Sequence, residues 1–514
     1  MGLTGRKRNM LLLLAAFMIA GVFLMICSKN SPLYPMNDWY DVNCFMTVGR
    51  AVLDGRLMYV DIYEQKGPLL YFIYALAALV SDKSFIGVFI LELICYTVFL
   101  FFSLKLSELY LGKLKLIHAS VVMSAVALGV VTSFSFAHGG SVEGISLPLL
   151  TVTLYLTLKA IRSDAVIGCR TAFLIGCFMA CALWIKYTTC GFYFGLCIFI
   201  AVEMIRDKSS RPRLIPYILS FLAGIALLSA PIIIYFIGKG ALDALFEWYF
   251  YNNIVIYTET DGGGALLSII NISSNIIAGL VSMLAFAPAV FIPLIASAVK
   301  RRGKFPGHRQ ELFAILAMFF GTAVFTFLGV NQFPYYSHVF CAFSGLSAVI
   351  GYRFAVRIIG KLKIKQNVLK WALPASVLAL ALLAFPLSSN TYLLKFKRAD
   401  MPQYIFAEEI NKTPDAKLLN YGSLDGGFYF ASGTLPDCPF FCRLNLEHPD
   451  MDAGQADAAL NKSDYIVTID KTVYELLEAK LGSVPEGVRF VNVKTVEFPF
   501  EWFTHTYYLY RVEK

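Results

Sequence analysis

The sequence predicts an α-helical polytopic membrane protein that carries a small α/β domain toward its C-terminal end. Three observations predict it. Of the 514 residues, 58% are hydrophobic and 15% charged, and the mean hydropathy of +0.64 lies far outside the range of a chain that folds in water. Between residues 10 and 387, apolar runs of spanning length alternate with short clusters of Lys and Arg, the pattern of membrane helices and their loops. From residue 389 onward the long apolar runs stop and Asp and Glu become common.

Arg6, Lys7 and Arg8 precede the apolar run 10–27, and the chain continues SKNSPLYP without a small-residue cleavage site. The run therefore reads as an uncleaved first span with its N-terminus inside. Residues 28–66 then lie outside. The segment 67–80 is apolar but only about half a spanning length, which suits a helix lying at the interface. The second span is 85–106, and cationic clusters order the rest: Lys113 and Lys115, Arg162 and Arg170, the loop 206–213, the most basic loop around 300–309, and the region 357–367 are all inside. Spans are expected over 116–136, 145–159, 171–187, 191–204, 215–237, 275–299, 311–330, 338–355 and 368–387. The total is about eleven spans, with the N-terminus inside and the C-terminus outside.

The membrane domain is expected to be 1–388, with its main outer loop at 28–84. Residues 389–514 form the outer α/β domain, a size ordinary for one domain. Its strand-like stretches are 417–420, 465–469, 490–496 and 506–511, and its helix-like ones 402–412 and 471–480.

A net charge of +9 raises the possibility of nucleic acid, but the cations are dispersed between apolar runs rather than along one face, so their role is topological. Most of the eleven cysteines sit inside apolar runs, where a thiol behaves as a small hydrophobe. None has metal-ligand spacing. Cys438 and Cys442, four apart in a polar stretch, are either a disulfide or two free thiols.

The longest polar interruption, 37–70, holds Asp38, Asp41, Asp54, Asp61, Glu64, Arg50, Arg56 and Lys66. A segment so rich in ionisable groups must sit in water or over a cavity mouth. Asp41 can serve as a general base toward an acceptor hydroxyl, or can simply cap a helix. Asp38 has the same two readings. Lys66, just ahead of Gly67-Pro68, fits a phosphate site at a helix N-terminus or an interfacial lysine that snorkels. Glu143, in the outer turn HGGSVEG at 138–144, is a second acidic candidate or a plain loop residue. Lys186 reads as snorkelling, and His338, beside two tyrosines, as part of an aromatic belt.

Asp41, Phe45, Asp54-Gly55, Tyr59, Asp61 and Lys66-Gly67-Pro68 follow one another in the first outer loop. In that order they resemble the membrane glycosyltransferases of the C-type fold, in particular the bacterial branch related to aminoarabinose transferases and protein O-mannosyltransferases. The resemblance implies an enzyme that takes a sugar from a polyprenyl-phosphate carrier, undecaprenyl phosphate in bacteria, and gives it with inversion to a hydroxyl of a glycan, lipid or protein. The setting would be the outer face of the cytoplasmic membrane, in cell-envelope polysaccharide or glycoconjugate assembly. It implies Asp41 as the catalytic carboxylate, Lys66 on the carrier phosphate and Glu143 near the acceptor or an ion; Arg50 or Arg56 would add positive charge for the leaving phosphate, and Tyr59, Asp61 and His338 are further substrate-binding candidates. A divalent metal such as magnesium or manganese is optional in relatives, and none is predicted. Residues 406–433 also look like the small external domain of Gram-positive members. Two departures stand out: Asp41 is followed by Val42 rather than a second acid, and Gly67 interrupts Lys-Pro. Asp38 therefore stays a rival base. A polysaccharide polymerase or ligase shares the lipid-linked substrate. A transporter or flippase would want deep intramembrane charge, for which Glu92 is the main candidate, and a non-catalytic scaffold would tolerate loss of Asp41.

Overall fold

The computed structural model describes residues 5–163, 167–207, 211–256, 309–327, 333–362, 366–482, 487–500 and 503–513, together with 273, 274 and 277. Among them, eight helices are long and apolar enough to cross a membrane: Gly5–Cys27, Ile86–Leu111, Val142–Arg162, Tyr187–Arg206, Arg211–Gly238, Arg309–Phe327, Pro334–Lys361 and Asn367–Leu387. Leu116–Val131 and Cys169–Ile185, both expected as spans, are apolar but shorter, at 16 and 17 residues. The expected span 275–299 lies outside the described residues apart from residue 277. The protein is thus a multi-pass membrane protein.

Contacts divide the chain into two compact units. One comprises Met1–Cys27, Leu91–Pro231 and Thr260–Ser389, the other Ser28–Ile90, Ile232–Glu259 and Asn390–Lys514. In the first, helix pairs approach through small residues. Gly191 and Gly195 face Ala317 and Gly321 so closely that a Cβ on either glycine would strike the opposing backbone. Close backbone approach replaces the hydrophobic drive that lipid removes.

In the second unit, α2 (Tyr40–Leu53) packs on α3 (Pro68–Val80). Gly49 permits the crossing, since a Cβ there would lie 2.8 Å from the Ala75 amide nitrogen. Pro68 opens α3 after Gly67, where a missing N–H costs nothing. A helix of 13 residues, Pro68–Val80, thus occupies the short apolar stretch at 67–80.

The same unit holds a four-stranded sheet of order β1-β2-β4-β3, with β1 Leu418–Asn420, β2 Tyr465–Ile469, β3 Arg489–Phe500 and β4 Phe503–Glu513. β1 runs parallel to β2, while β2–β4 and β3–β4 are antiparallel, with a bulge between Asn492 and Lys494. All four strands were expected, but β3 runs past 496. Pro499 would interrupt a central strand and is tolerated because β3 is at the edge. Leu419, Ile466, Val473, Leu477, Phe490 and Tyr510 form the buried core beneath. The helix Val473–Leu481 is set by a reciprocal cap: the Glu475 amide donates to Thr472 Oγ1 at 3.2 Å and the Thr472 amide to Glu475 Oε2 at 2.7 Å.

Candidate active site

In the second unit, α2 starts at Tyr40 with Trp39 in extended conformation as its cap. Asp41 is therefore not the capping residue. It sits in the first turn, 8% exposed, where the unpaired amides and the helix dipole favour a carboxylate. One turn on, the Phe45 ring lies 5.8 Å from Lys66 Nζ. Lys66 Nζ is 3.9 Å from Glu64 Oε1.

The Lys66 peptide is gripped on both sides. Its amide donates to Glu64 Oε2 at 2.8 Å, which also accepts the Tyr71 hydroxyl, and its carbonyl accepts the Tyr59 hydroxyl at 2.5 Å. Tyr59 reaches this position from a left-handed backbone, φ 66°, a conformation that only surrounding contacts hold in a bulky residue. Burial raises the Glu64 carboxyl; Lys66 opposes this, and the charge of Asp41 adds to the rise. Asp41, Glu64 and Lys66 thus act on one another electrostatically. Glu64 had no role in the sequence reading; its signal is its place two residues ahead of Lys66.

Asp38 is engaged differently. Lys29 Nζ donates to Asp38 Oδ1 at 2.6 Å and to Tyr392 Oη at 3.2 Å, with both charged side chains buried. Arg50 donates to the carbonyls of Tyr429 and Gly433 at 3.0 and 2.8 Å, Arg56 to that of Pro436, and Asp61 accepts the Leu57 amide at 2.7 Å. These groups brace the loop. Cys438 and Cys442 are both free thiols, and Cys442 Sγ lies 3.8 Å from Cys44 Sγ.

Thr47 on α2 donates to Asp425 Oδ2 at 2.6 Å, and the Gly427 amide to Oδ1 at 2.8 Å. Burial nonetheless pushes the Asp425 carboxyl up to about 6 from an ordinary 3.8. An acid raised on folding holds its proton in the folded state where the unfolded chain has lost it, so stability falls as pH rises through that window, by about 3 kcal/mol in all. Asp425→Asn removes this slope. Thermal unfolding should show the variant gaining on the wild type between about pH 4 and 6, and a constant difference would refute the assignment.

In the first unit, Ser141 caps α6 (Val142–Arg162) and Glu143 lies in its first turn. The turn before it passes through left-handed Ala137, Gly139 and Gly140. Lys186 Nζ donates to Glu143 Oε1 at 2.6 Å and stands 3.7 Å from the Tyr336 ring. Lys186, read as snorkelling, is partly buried and pairs with Glu143. Glu143 Oε2 is buried with no hydrogen-bond partner among the described residues. His338 is fully buried between Tyr96 Oη, 2.7 Å from Nε2, and Ser135 Oγ, 3.1 Å from Nδ1. A Cβ on Gly144 would lie 3.4 Å from the same Tyr96 hydroxyl, so His338 bears on the turn that carries Glu143. Glu92 accepts the Gly140 amide at 2.6 Å from the second turn of α4 (Ile86–Leu111), about 9 Å along the helix from its start.

No protein-family model matches the sequence, and no curated protein does. Among solved structures, the crystal structure of ArnT from Cupriavidus metallidurans bound to undecaprenyl phosphate aligns with a TM-score of 0.61 at 12% identity, covering 98% of each chain. The apo state of the same protein aligns at 0.60, also with 12% identity and 98% of each chain. The chain has the C-type glycosyltransferase fold. The C-type fold thus accounts for both the membrane helices and the C-terminal sheet. At this identity it fixes the path of the backbone, and the roles of side chains rest on their geometry here. Among the described residues, no group of three or more His, Cys, Asp or Glu side chains is placed to hold a metal ion.

Proposed function

We propose that the protein transfers a sugar from a polyprenyl-phosphate-linked donor to an acceptor hydroxyl at the outer face of the cytoplasmic membrane, in building cell-envelope polysaccharide or glycoconjugate. The observation that carries the reading is Lys66, whose backbone is clamped by Tyr59 and Glu64 and whose ammonium lies over Phe45, one turn from Asp41. The likeness to ArnT, crystallised with undecaprenyl phosphate, supports the donor class.

In the reaction, Asp41 takes the proton of the acceptor hydroxyl. The hydroxyl oxygen forms a bond to the anomeric carbon as the bond from that carbon to the phosphate oxygen breaks, so the configuration inverts. The electron pair leaves with the polyprenyl phosphate. That leaving group needs a cation rather than an acid, and Lys66 supplies it. Glu64 orients Lys66. Asp38, Arg50, Arg56 and Asp61 are assigned to holding the loop, because their side chains already bind other groups. Glu143 stays a second acidic candidate, positioned within its own unit by Lys186 and, through Tyr96, by His338. The domain limits 1–388 and 389–514 are part of this proposal, with the second domain outside.

Lys66→Ala should raise the KM for a polyprenyl-phosphate sugar by about tenfold or more, the loss of one charge-assisted contact, and Lys66→Arg should restore part of it. Sugar release by the purified full-length protein measures this. An unchanged KM would make Lys66 an interfacial lysine only.

A further inference from the structure

A cavity with cationic side chains around it lies in the unit that holds the outer loop, at the start of α4. Its volume is about 280 Å³, and it is lined by Ser31, Tyr34, Ser84, Phe85, Arg398 and Phe430, among others. Phe85 and Phe430 pack together at 4.4 Å between ring centroids and make its apolar wall.

Arg398 is held in place but not used up. Its Nε donates to the Pro35 carbonyl at 3.2 Å and its guanidinium lies 5.5 Å from the Tyr404 ring. Its terminal nitrogens make no hydrogen bond or ion pair among the described residues, so a planar two-pronged donor edge remains on an exposed side chain. Lys395 and Lys397 are exposed beside it. Asp400, the nearest acid in sequence, accepts the Lys397 amide at 2.8 Å. The other cation on the cavity wall, Lys29, is neutralised by Asp38.

This cationic run begins eight residues after the span Asn367–Leu387 ends. Cations flanking a span are expected on the inside. In the orientation proposed above, on which this step rests, the run lies outside, so topology does not explain it. The cavity, the fixed guanidinium and the aromatic wall beside a span do, as a place for an anionic head with an apolar tail.

We infer that this cavity binds a phosphate ester, with Arg398 as its principal ligand, at a site separate from Lys66. The ester can belong to an anionic lipid head group or to a soluble phosphate, and the test distinguishes them. Purified full-length protein in neutral detergent is titrated with short-chain phosphatidylglycerol, with short-chain diacylglycerol as the phosphate-free lipid control, and with inorganic phosphate, while thermal unfolding is followed. Phosphatidylglycerol should raise the Tm saturably. Arg398→Gln should shift that titration by about tenfold or more, Arg398→Lys should shift it less, and Lys66→Ala should leave it in place. A saturable, Arg398-dependent response to inorganic phosphate assigns the site to soluble esters, and its absence beside a lipid response assigns it to the membrane. Equal responses to the two lipids, an unaltered response in Arg398→Gln, or its loss in Lys66→Ala would overturn the inference. None of these readouts depends on sugar transfer.

Discussion

Asp41→Asn lowers the kcat of sugar transfer by about 10²–10⁴-fold, the range for removing a general base, and leaves the KM for the donor nearly unchanged. Asn keeps the shape of the side chain and its place in the first turn of α2 but cannot take a proton. Glu64 is the nearest competitor, since it feels the charge of Asp41 and lies beside Lys66. Its two oxygens, however, are already committed to Lys66 and Tyr71, which suits a positioning residue. Glu64→Gln should therefore act mainly on KM, by loosening Lys66. The decisive experiment compares kcat and KM separately for Asp41→Asn, Glu64→Gln and Asp38→Asn on a polyprenyl-phosphate sugar. A collapse of kcat in Glu64→Gln with normal turnover in Asp41→Asn would move the base to Glu64. Normal turnover in all three would remove the carboxylate mechanism.

The parts of this site legible in the sequence are those whose signal is local. A polar stretch inserted between apolar runs can only be a loop or a cavity mouth, which singled out Asp41 and Lys66, and short strand-like patterns, equally local, pointed to all four strands. What the sequence left open depends on partners distant along the chain. Arg50 looked like a phosphate ligand because its partners are backbone carbonyls of Tyr429 and Gly433, and a carbonyl has no sequence signature. Lys186 looked like a snorkelling lysine because Glu143 lies 43 residues away. His338 looked like a belt residue because Tyr96 and Ser135, which bracket its ring, sit on other segments. Asp38 differs from Asp41 in its pairing with the buried Lys29, a pairing the sequence did not show.

That difference gives a second large effect, on stability rather than turnover. Lys29 and Asp38 are 1% and 3% exposed. Removing one partner of a buried pair leaves the other charge uncompensated, at about 3–5 kcal/mol, whereas removing both can be close to neutral. Asp38→Asn and Lys29→Met should each lower the Tm sharply, and the double variant should recover most of the loss. In the wild type, burial alone would lower the Lys29 pKa, but Asp38 and Tyr392 outweigh it and hold it above its ordinary 10.5. A base raised on folding contributes stability that is fully present below its unfolded pKa and lost only as pH rises through the folded value, so Lys29 adds no slope near neutrality. In Asp38→Asn the burial remains and the partner is gone, so the pKa falls below 10.5. The unfolded chain then binds a proton that the folded one lacks, and stability rises with pH across that window. The Asp38→Asn deficit should accordingly be larger at about pH 6 than at about pH 9, while the double variant shows no such trend. A deficit that ignores pH, or a double variant as weak as the sum of the two singles, would mean that Lys29 and Asp38 are not coupled in the folded protein.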